Sequence, residues 1–560
     1  MQPKHANKLA ADLAEQLAPS RTRDLSFYVV LFAAVIPLWS IVPLSWAFVI
    51  YSLRSGKIWT YAWAGRALFA AALCEVFFSV HHYSLARFIR GPHSLPPNKL
   101  VELQQAFNRV LKSGLADLSE DGYDEESLDD ERPGSPAEEI TTLRYDDPRA
   151  VDFRNNLRTW FGKVPWSQIH KEDMYTWLYW AIFNAPYAPF DSLPKSHQTT
   201  LKEVCQLIEA RSGSTFPEGS NPSVRALRLT LDPVSVVWRP LVWYLGVALS
   251  NYLLRRKMVR KWNVEFGTYH GLDYLIRIPP GWNAHTGRRP IVFMHGLGLG
   301  LTQYNRFITH LLRNAPEHPL LVPLHPHVSQ EIFHPRFLRP MGRRDMARTL
   351  AGLLDKLGWA KWQEKAESEA EAEADPARVP MGVTMISHSN GSFAHAWMLK
   401  HYPAMVTRSC FIDPVTFCSW EGDLCYNFVY RPASTGMELV IKFFVGGELG
   451  VANFLQRHFD WYANSLWYEE IPNARDPNKT MFFLGGKDAI VNADRVRRYL
   501  MSHGIRKNLW YDPNGRHGQA MLRGSPGQKE IFRWLLQTEK PSSSSPSSSK
   551  PSLLLSPPSS

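Results

Sequence analysis

Cysteine is scarce in this chain. There are five in 560 residues (Cys74, Cys205, Cys410, Cys418 and Cys425), scattered, with no Cys-x-x-Cys pair and no Cys/His cluster. This excludes a disulfide framework and a zinc site, and it fits a catalytic domain facing the cytosol. Nucleic-acid signatures are also missing. The net charge is +11, yet no basic stripe, zinc-finger spacing or RNA-binding motif accompanies it, so nucleic acid is not an expected partner. The densest basic cluster, Arg255, Arg256, Lys257, Arg260 and Lys261, follows an apolar, aromatic run. In that position it suits anionic lipid headgroups, or simply a solvated helix end. No Lys-Ser/Thr follows the Gly-rich stretch at 296–300, which argues against a phosphate-binding loop. No internal repeat is present.

Charge is absent from Leu25 to Leu53, a run of 29 residues. That length crosses the roughly 30 Å hydrocarbon layer and is too long for a signal-peptide core. A retained spanning anchor is expected, with Pro37 and Pro43 either kinking the helix or turning a hairpin. A second apolar stretch, Ile58 to Val80, carries Arg66 and Glu75, both costly in lipid. It reads as a second span or an interfacial helix. A third, Val234 to Leu254, holds Arg239. It reads as an amphipathic surface helix, or as a helix buried against the following domain.

Composition divides the chain. Residues 1–95 form an N-terminal membrane anchor region. Residues 96–261 form a helical region, with helical spacing at 98–111 and 200–210 and a disordered linker at 117–139 that holds eleven acidic residues. Residues 262–538 alternate short apolar runs with helical stretches. Strands are expected near 263–269, 273–278, 290–294, 319–323, 383–387, 408–412, 480–484 and 507–511. An acidic, Ala-rich insertion lies at 364–375, and residues 539–560 are a disordered Ser/Pro-rich tail. The fold class implied is α/β, a doubly wound, mostly parallel sheet whose ligands sit beyond the carboxyl ends of the strands.

Four motifs fall at those strand ends. Gly382 to Ser392 reads strand, sharp turn, helix around Ser387-His388-Ser389-Asn390-Gly391. Pro290 to Gly300 is a strand ending in His295-Gly296 and a Gly-rich turn. Thr480 to Val491 ends a strand in Gly-Gly-Lys-Asp, with Gly485 and Asp488. Leu509 to Met521 ends a strand and supplies His517 followed by Gly518. Together they resemble the α/β-hydrolase superfamily over roughly residues 262 to 538. The first motif is similar to its G-x-S-x-G nucleophile elbow, with Ser387 replacing the first glycine.

The resemblance implies an eight-stranded sheet with Ser389 as nucleophile, Asp488 as acid and His517 as base. Asp413, at the end of the preceding strand, is the competing acid. By position the backbone N–H groups of Leu297 and Asn390 form the oxyanion hole. The rival hydroxyls Ser387 and Ser392, and the flanking His388 and His395, are expected to pack rather than react. The chemistry implied is ester cleavage through an acyl-enzyme, with no metal and no cofactor. A lid is expected at about 415–478. Its aromatic composition, with the anchor, points to a lipid-like or otherwise hydrophobic ester as substrate and to membrane lipid as partner. The expected location is a membrane, at the endoplasmic reticulum or lipid-droplet surface, with the catalytic domain in the cytosol. Two other readings stay open: an acyltransferase on the same fold, and a non-catalytic membrane scaffold or lipid carrier.

Overall fold

The computed structural model describes residues 21–91, 103, 106–107, 109–110, 142–284, 286–361 and 382–537. The acidic stretches at 117–139 and 364–375, the tail, and most of 98–111 lie outside them.

Two long helices open the described chain. Helix α1 (Leu25–Arg54) and helix α2 (Trp63–Phe88) are each long and apolar enough to cross a membrane. At 1.5 Å per residue they reach about 45 and 39 Å, more than a hydrocarbon layer needs. Pro37 and Pro43 do not turn α1 back. A π-turn at Leu31–Val35 precedes Pro37 and absorbs its missing N–H and its ring, so one helix continues to Arg54. The hairpin forms instead between the two helices. Val49 of α1 packs on Phe69, Ala72 and Val76 of α2, and Trp46 Nε1 donates to Ser79 Oγ at 3.0 Å. Glu75 does not face lipid. It is buried and accepts the Leu241 N–H at 2.8 and 2.9 Å on its two oxygens.

A helical layer follows: α3 (Pro148–Leu157), α4 (Lys171–Phe183), α5 (Lys195–Ser212) and α6 (Leu241–Trp262). The third apolar stretch forms α6 and meets both expectations at once. Tyr244, Val247, Asn251, Leu254 and Met258 are buried, while Val242, Leu245, Leu249 and Leu253 are exposed.

The rest is an eight-stranded sheet in the order β1-β2-β4-β3-β5-β6-β7-β8. The strands are β1 (Glu265–Tyr269), β2 (Leu272–Arg277), β3 (Ile291–Met294), β4 (Leu320–Leu324), β5 (Val383–His388), β6 (Val406–Ile412), β7 (Thr480–Gly485) and β8 (Leu509–Asp512). Strand β2 is antiparallel to both of its neighbours, and β3 through β8 run parallel. The helices between them are α7 (Leu301–Asn314), α8 (Arg343–Lys356), α9 (Gly391–His401), α10 (Gly436–Ile441), α11 (Leu449–Arg457), α12 (Ala493–Ser502) and α13 (Pro526–Leu536).

The strands bury both faces. Val292, Met294, Phe482 and Leu484 face one core with α8, α9 and α12, whereas Ile291, Phe293, Met481 and Phe483 face another with α7 and α13. This is the two-residue alternation of a sheet covered on both sides. It explains why the central strands, β3 to β7, read as largely apolar runs.

Between β6 and β7 lies the long insertion that carries α10 and α11. It is fastened to the hairpin at two points. Near the start of α1, Ser26 Oγ accepts the Gly436 N–H at 2.8 Å, and Asp24 N–H donates to Ser434 O at 3.0 Å. A Cβ on Gly436 would sit 2.5 Å from Ser26 O, so only glycine permits this approach. Beyond the end of α2, the buried guanidinium of Arg457 donates to Ile89 O and Arg90 O, both at 2.9 Å.

Candidate active site

The carboxyl ends of β3, β5, β6, β7 and β8 bring the predicted residues to one edge of the sheet. Ser389 sits between β5 and α9 with φ 52, a left-handed conformation that costs a non-glycine residue about 1–3 kcal/mol. The surroundings impose it. Ser389 N–H donates to Ile412 O at 3.0 Å, while Ser392 Oγ donates to Ser389 O at 2.7 Å and accepts the Val415 N–H. A Cβ on Gly391 would lie 2.3 Å from Met294 O, so the small residue after the turn lets α9 press on the end of β3. Ser387 fills the corresponding space before the turn, hydrogen-bonded to His395 Nδ1 at 2.9 Å. His395 also meets Ser409 and stacks on Phe411. His388, Ser387, Ser392 and His395 are all buried and engaged in packing.

Three amides of the His-Gly loop after β3 are engaged within the chain. Gly296 N–H donates to Tyr304 Oη at 3.0 Å, Gly298 N–H to Val328 O at 3.0 Å, and Leu299 N–H to Gln303 Oε1 at 3.1 Å. Among the described residues, Leu297 N–H and Asn390 N–H make no hydrogen bond within the chain. A Cβ on Gly296 would come 3.0 Å from the Ser389 Cβ, which places this loop directly against the serine.

His517 Nδ1 and Asp488 Oδ2 are 2.6 Å apart. The other oxygen of Asp488 accepts the Ile490 and Val491 N–H groups at 2.7 and 3.0 Å. The competing carboxylate, Asp413, is close by but holds backbone: Oδ1 accepts Gly485 N–H at 3.1 Å and Oδ2 accepts Gly518 N–H at 2.6 Å. Ligand atoms of Asp413, Asp488 and His517 all lie within 4.8 Å of one another, a spacing a cation could use. Every one of those carboxylate oxygens already accepts a hydrogen bond. Among the described residues no hydrogen bond joins Ser389 Oγ to His517, a bond that often tightens only with substrate bound.

Burial disfavours a charged His517, but the Asp488 carboxylate and its hydrogen bond outweigh that, with Asp413 adding, and the imidazole is raised to about 9. Burial pushes Asp413 upward, with Asp488 adding to the shift and His517 opposing it.

A narrow cleft opens beside Asn390. Met341, Phe393, Trp397 and Phe454 line it with His295, His325, His327 and Arg336. Burial pushes His295 down, His325 well down and His327 to about 3, so these rings are neutral. Sequence reading missed two parts of this site. His325 and His327 follow β4, and their position at a strand end was a usable signal. Tyr304 bridges Gly296 N–H and His388 Nδ1, the latter at 2.8 Å, and nothing local marks it.

No family model matches the chain, and no curated protein does. Solved structures similar to it include a bacterial membrane phospholipase A, at 15% identity over 53% of this chain and 96% of that one, with a TM-score of 0.33. Another is a probable hydrolytic enzyme from Pseudomonas aeruginosa, at 16% identity over 49% and 94%, with a TM-score of 0.32. A third is the naproxen esterase of Bacillus subtilis, at 12% identity over 51% and 98%, with a TM-score of 0.30.

Proposed function

We propose that this chain, which has the α/β-hydrolase fold, is a membrane-associated serine hydrolase that cleaves a hydrophobic carboxylic ester. One observation carries the reading. Ser389 on its strained turn, the two open amides of Leu297 and Asn390, and the His517–Asp488 pair share one sheet edge beside a cleft.

The chemistry follows from that arrangement. Ser389 Oγ attacks the ester carbonyl carbon as His517 Nε2 takes its proton. Asp488 holds the imidazole through Nδ1 and favours its charged form. The carbonyl oxygen gains charge and accepts the N–H groups of Leu297 and Asn390. His517 returns the proton to the leaving alcohol, and the acyl group stays on Ser389. Water, deprotonated by His517, then releases the acid. Asp413 is a positioning residue. By accepting Gly518 N–H it fixes the backbone next to His517. The apolar walls of the cleft favour a hydrophobic ester, and the two apolar helices favour one dissolved in a membrane.

Labelling with a fluorophosphonate probe tests this. The wild-type chain in membranes should react at Ser389, and Ser389→Ala should lose both labelling and ester turnover. Labelling that persists in Ser389→Ala would sink the assignment. If added alcohol diverts the product from acid to a new ester, the same acyl-enzyme serves a transferase.

A further inference from the structure

We propose that α6 is a third membrane element, whose outward face lies in the acyl layer of an anionic bilayer. The inference rests on the reading of α1 and α2 as membrane helices. The helix is apolar on two sides. Its inner row is buried, yet Val242, Leu245, Leu249, Tyr252 and Leu253 are 50–57% exposed. Their spacing of three, four, three and one residues puts them on a single helical face. An apolar face of this length standing in water is unfavourable by the area it exposes, whereas lipid removes that cost.

Two observations choose a bilayer as the occupant. The first is continuity with the spanning hairpin. Trp39 of α1 stacks on Trp238, just before α6, with ring centroids 5.2 Å apart. Phe78 of α2 meets Tyr244 at 5.6 Å, and Glu75 of α2 accepts the first amide of α6. A membrane that holds α1 and α2 therefore meets α6. The second is charge. The apolar row ends in Arg256, Lys257, Arg260 and Lys261, all exposed, one turn or two beyond Leu253. Long basic side chains at the end of an apolar helix reach the headgroup layer, and anionic lipid attracts each by about 1 kcal/mol.

The placement bears on how substrate arrives. Helix α6 packs on α7 through Thr302, whose Oγ1 donates to Asn251 Oδ1 at 2.8 Å. Helix α7 begins at the end of the oxyanion loop. Trp243 Nε1 of α6 donates to Gln330 Oε1 at 2.7 Å, close in sequence to the cleft residues His325 and His327. The lipid-facing helix thus touches the elements that carry the oxyanion loop and the segment after the cleft histidines.

Nitroxide accessibility tests the proposal. Full-length chain with Cys74→Ser is reconstituted in vesicles of four parts phosphatidylcholine to one part phosphatidylserine. Nitroxides are placed singly at Leu245→Cys, Leu249→Cys and Leu253→Cys, with Leu44→Cys of α1 as the lipid reference and Lys529→Cys of α13 as the water reference. The α6 labels should collide with oxygen and not with a soluble nickel chelate, giving an oxygen-to-nickel ratio several-fold above that of Lys529→Cys. Labels on α6 that behave like Lys529→Cys overturn it. So does exclusion of both reagents, which a second copy or another protein would produce. A water-like Leu44→Cys would instead refute the spanning hairpin, so the two readings fail separately.

Discussion

The two halves of this molecule are held together by different means. In the sheet half, the site is fixed by backbone: a positive φ at Ser389, glycines at 296 and 391 where a Cβ would collide, and carboxylates that accept loop amides. The N-terminal half is instead held, internally and to the sheet half, by side chains that reach over 166 to 368 residues to distant partners. Glu75 meets Leu241, and Arg457 meets Ile89 and Arg90. Arg495 is buried between Asp152 and Glu421. Backbone-controlled sites demand small residues at fixed offsets and so write a local motif. Long-range caps demand only one polar residue somewhere, and write none.

The largest test of this contrast is within the sheet half. Asp488→Asn should lower kcat by about 10⁴-fold, because the amide holds His517 in the wrong tautomer. Asp413→Asn should cost about 10- to 100-fold, since it disturbs only the backbone around His517. Steady-state kinetics with a soluble chromogenic ester measures both. The reverse order would make Asp413 the working acid.

The next test moves to the bonds that join the two halves. Arg457 donates to backbone oxygens of Ile89, Arg90, Leu229, Thr230 and Asp232. Arg457→Met leaves these carbonyls without their donor, and a loss of about 3–5 kcal/mol is expected, at 1–3 kcal/mol for each group that water cannot reach. Thermal unfolding in detergent measures it. An unchanged midpoint would mean that the Arg457 bonds add nothing to the hold on the hairpin.

This contrast also explains what could be read in advance. All eight strands were legible, the central ones as largely apolar runs ended by a turn, and the edges agree to within about two residues. The positions of Ser389, Asp488, His517, Leu297 and Asn390 beyond strand ends were legible from their motifs. The choice between Asp488 and Asp413 was not decided there, because both follow strands. Only the hydrogen bonds separate them: one carboxylate meets the ring, the other the next amide. Tyr304 was invisible for the opposite reason. It acts from the first turn of α7 through a hydroxyl that accepts Gly296 N–H, and any buried helical tyrosine looks the same in sequence. The partner of Glu75 was likewise hidden, although its cost in lipid marked it as a residue needing one.

A smaller effect is expected with pH. With His517 raised to about 9, roughly 1% is neutral at about pH 7 and about half at about pH 9. Only the neutral ring can accept the Ser389 proton, so kcat/KM should climb across that interval. The stability gained from the His517–Asp488 pair runs the other way. The folded-state value lies above the unfolded one, so that gain is complete below about pH 6.5 and is lost as pH rises through about 9. A flat activity profile from about pH 7 to about pH 9 would show that His517 is not raised.

The smallest expected effect lies inside the N-terminal half, where α2 meets α6. Glu75 gives the first turn of α6 an acceptor that the helix lacks, since Pro240 at its N-cap offers no side-chain oxygen. Replacing a capping acceptor costs about 0.5–2 kcal/mol, so Glu75→Leu should weaken the start of α6 by about 1 kcal/mol. The loss is local: the apolar packing of Phe78 on Tyr244 and the donors on Arg457 stay in place. Hydrogen exchange in vesicles resolves it. Amides of Leu241 to Tyr244 should exchange about five-fold faster in Glu75→Leu, with those of α9 beside Ser389 unchanged. If α9 loosens as well, the cap on α6 is coupled to the nucleophile turn, and the two halves are one cooperative unit rather than two joined at a seam.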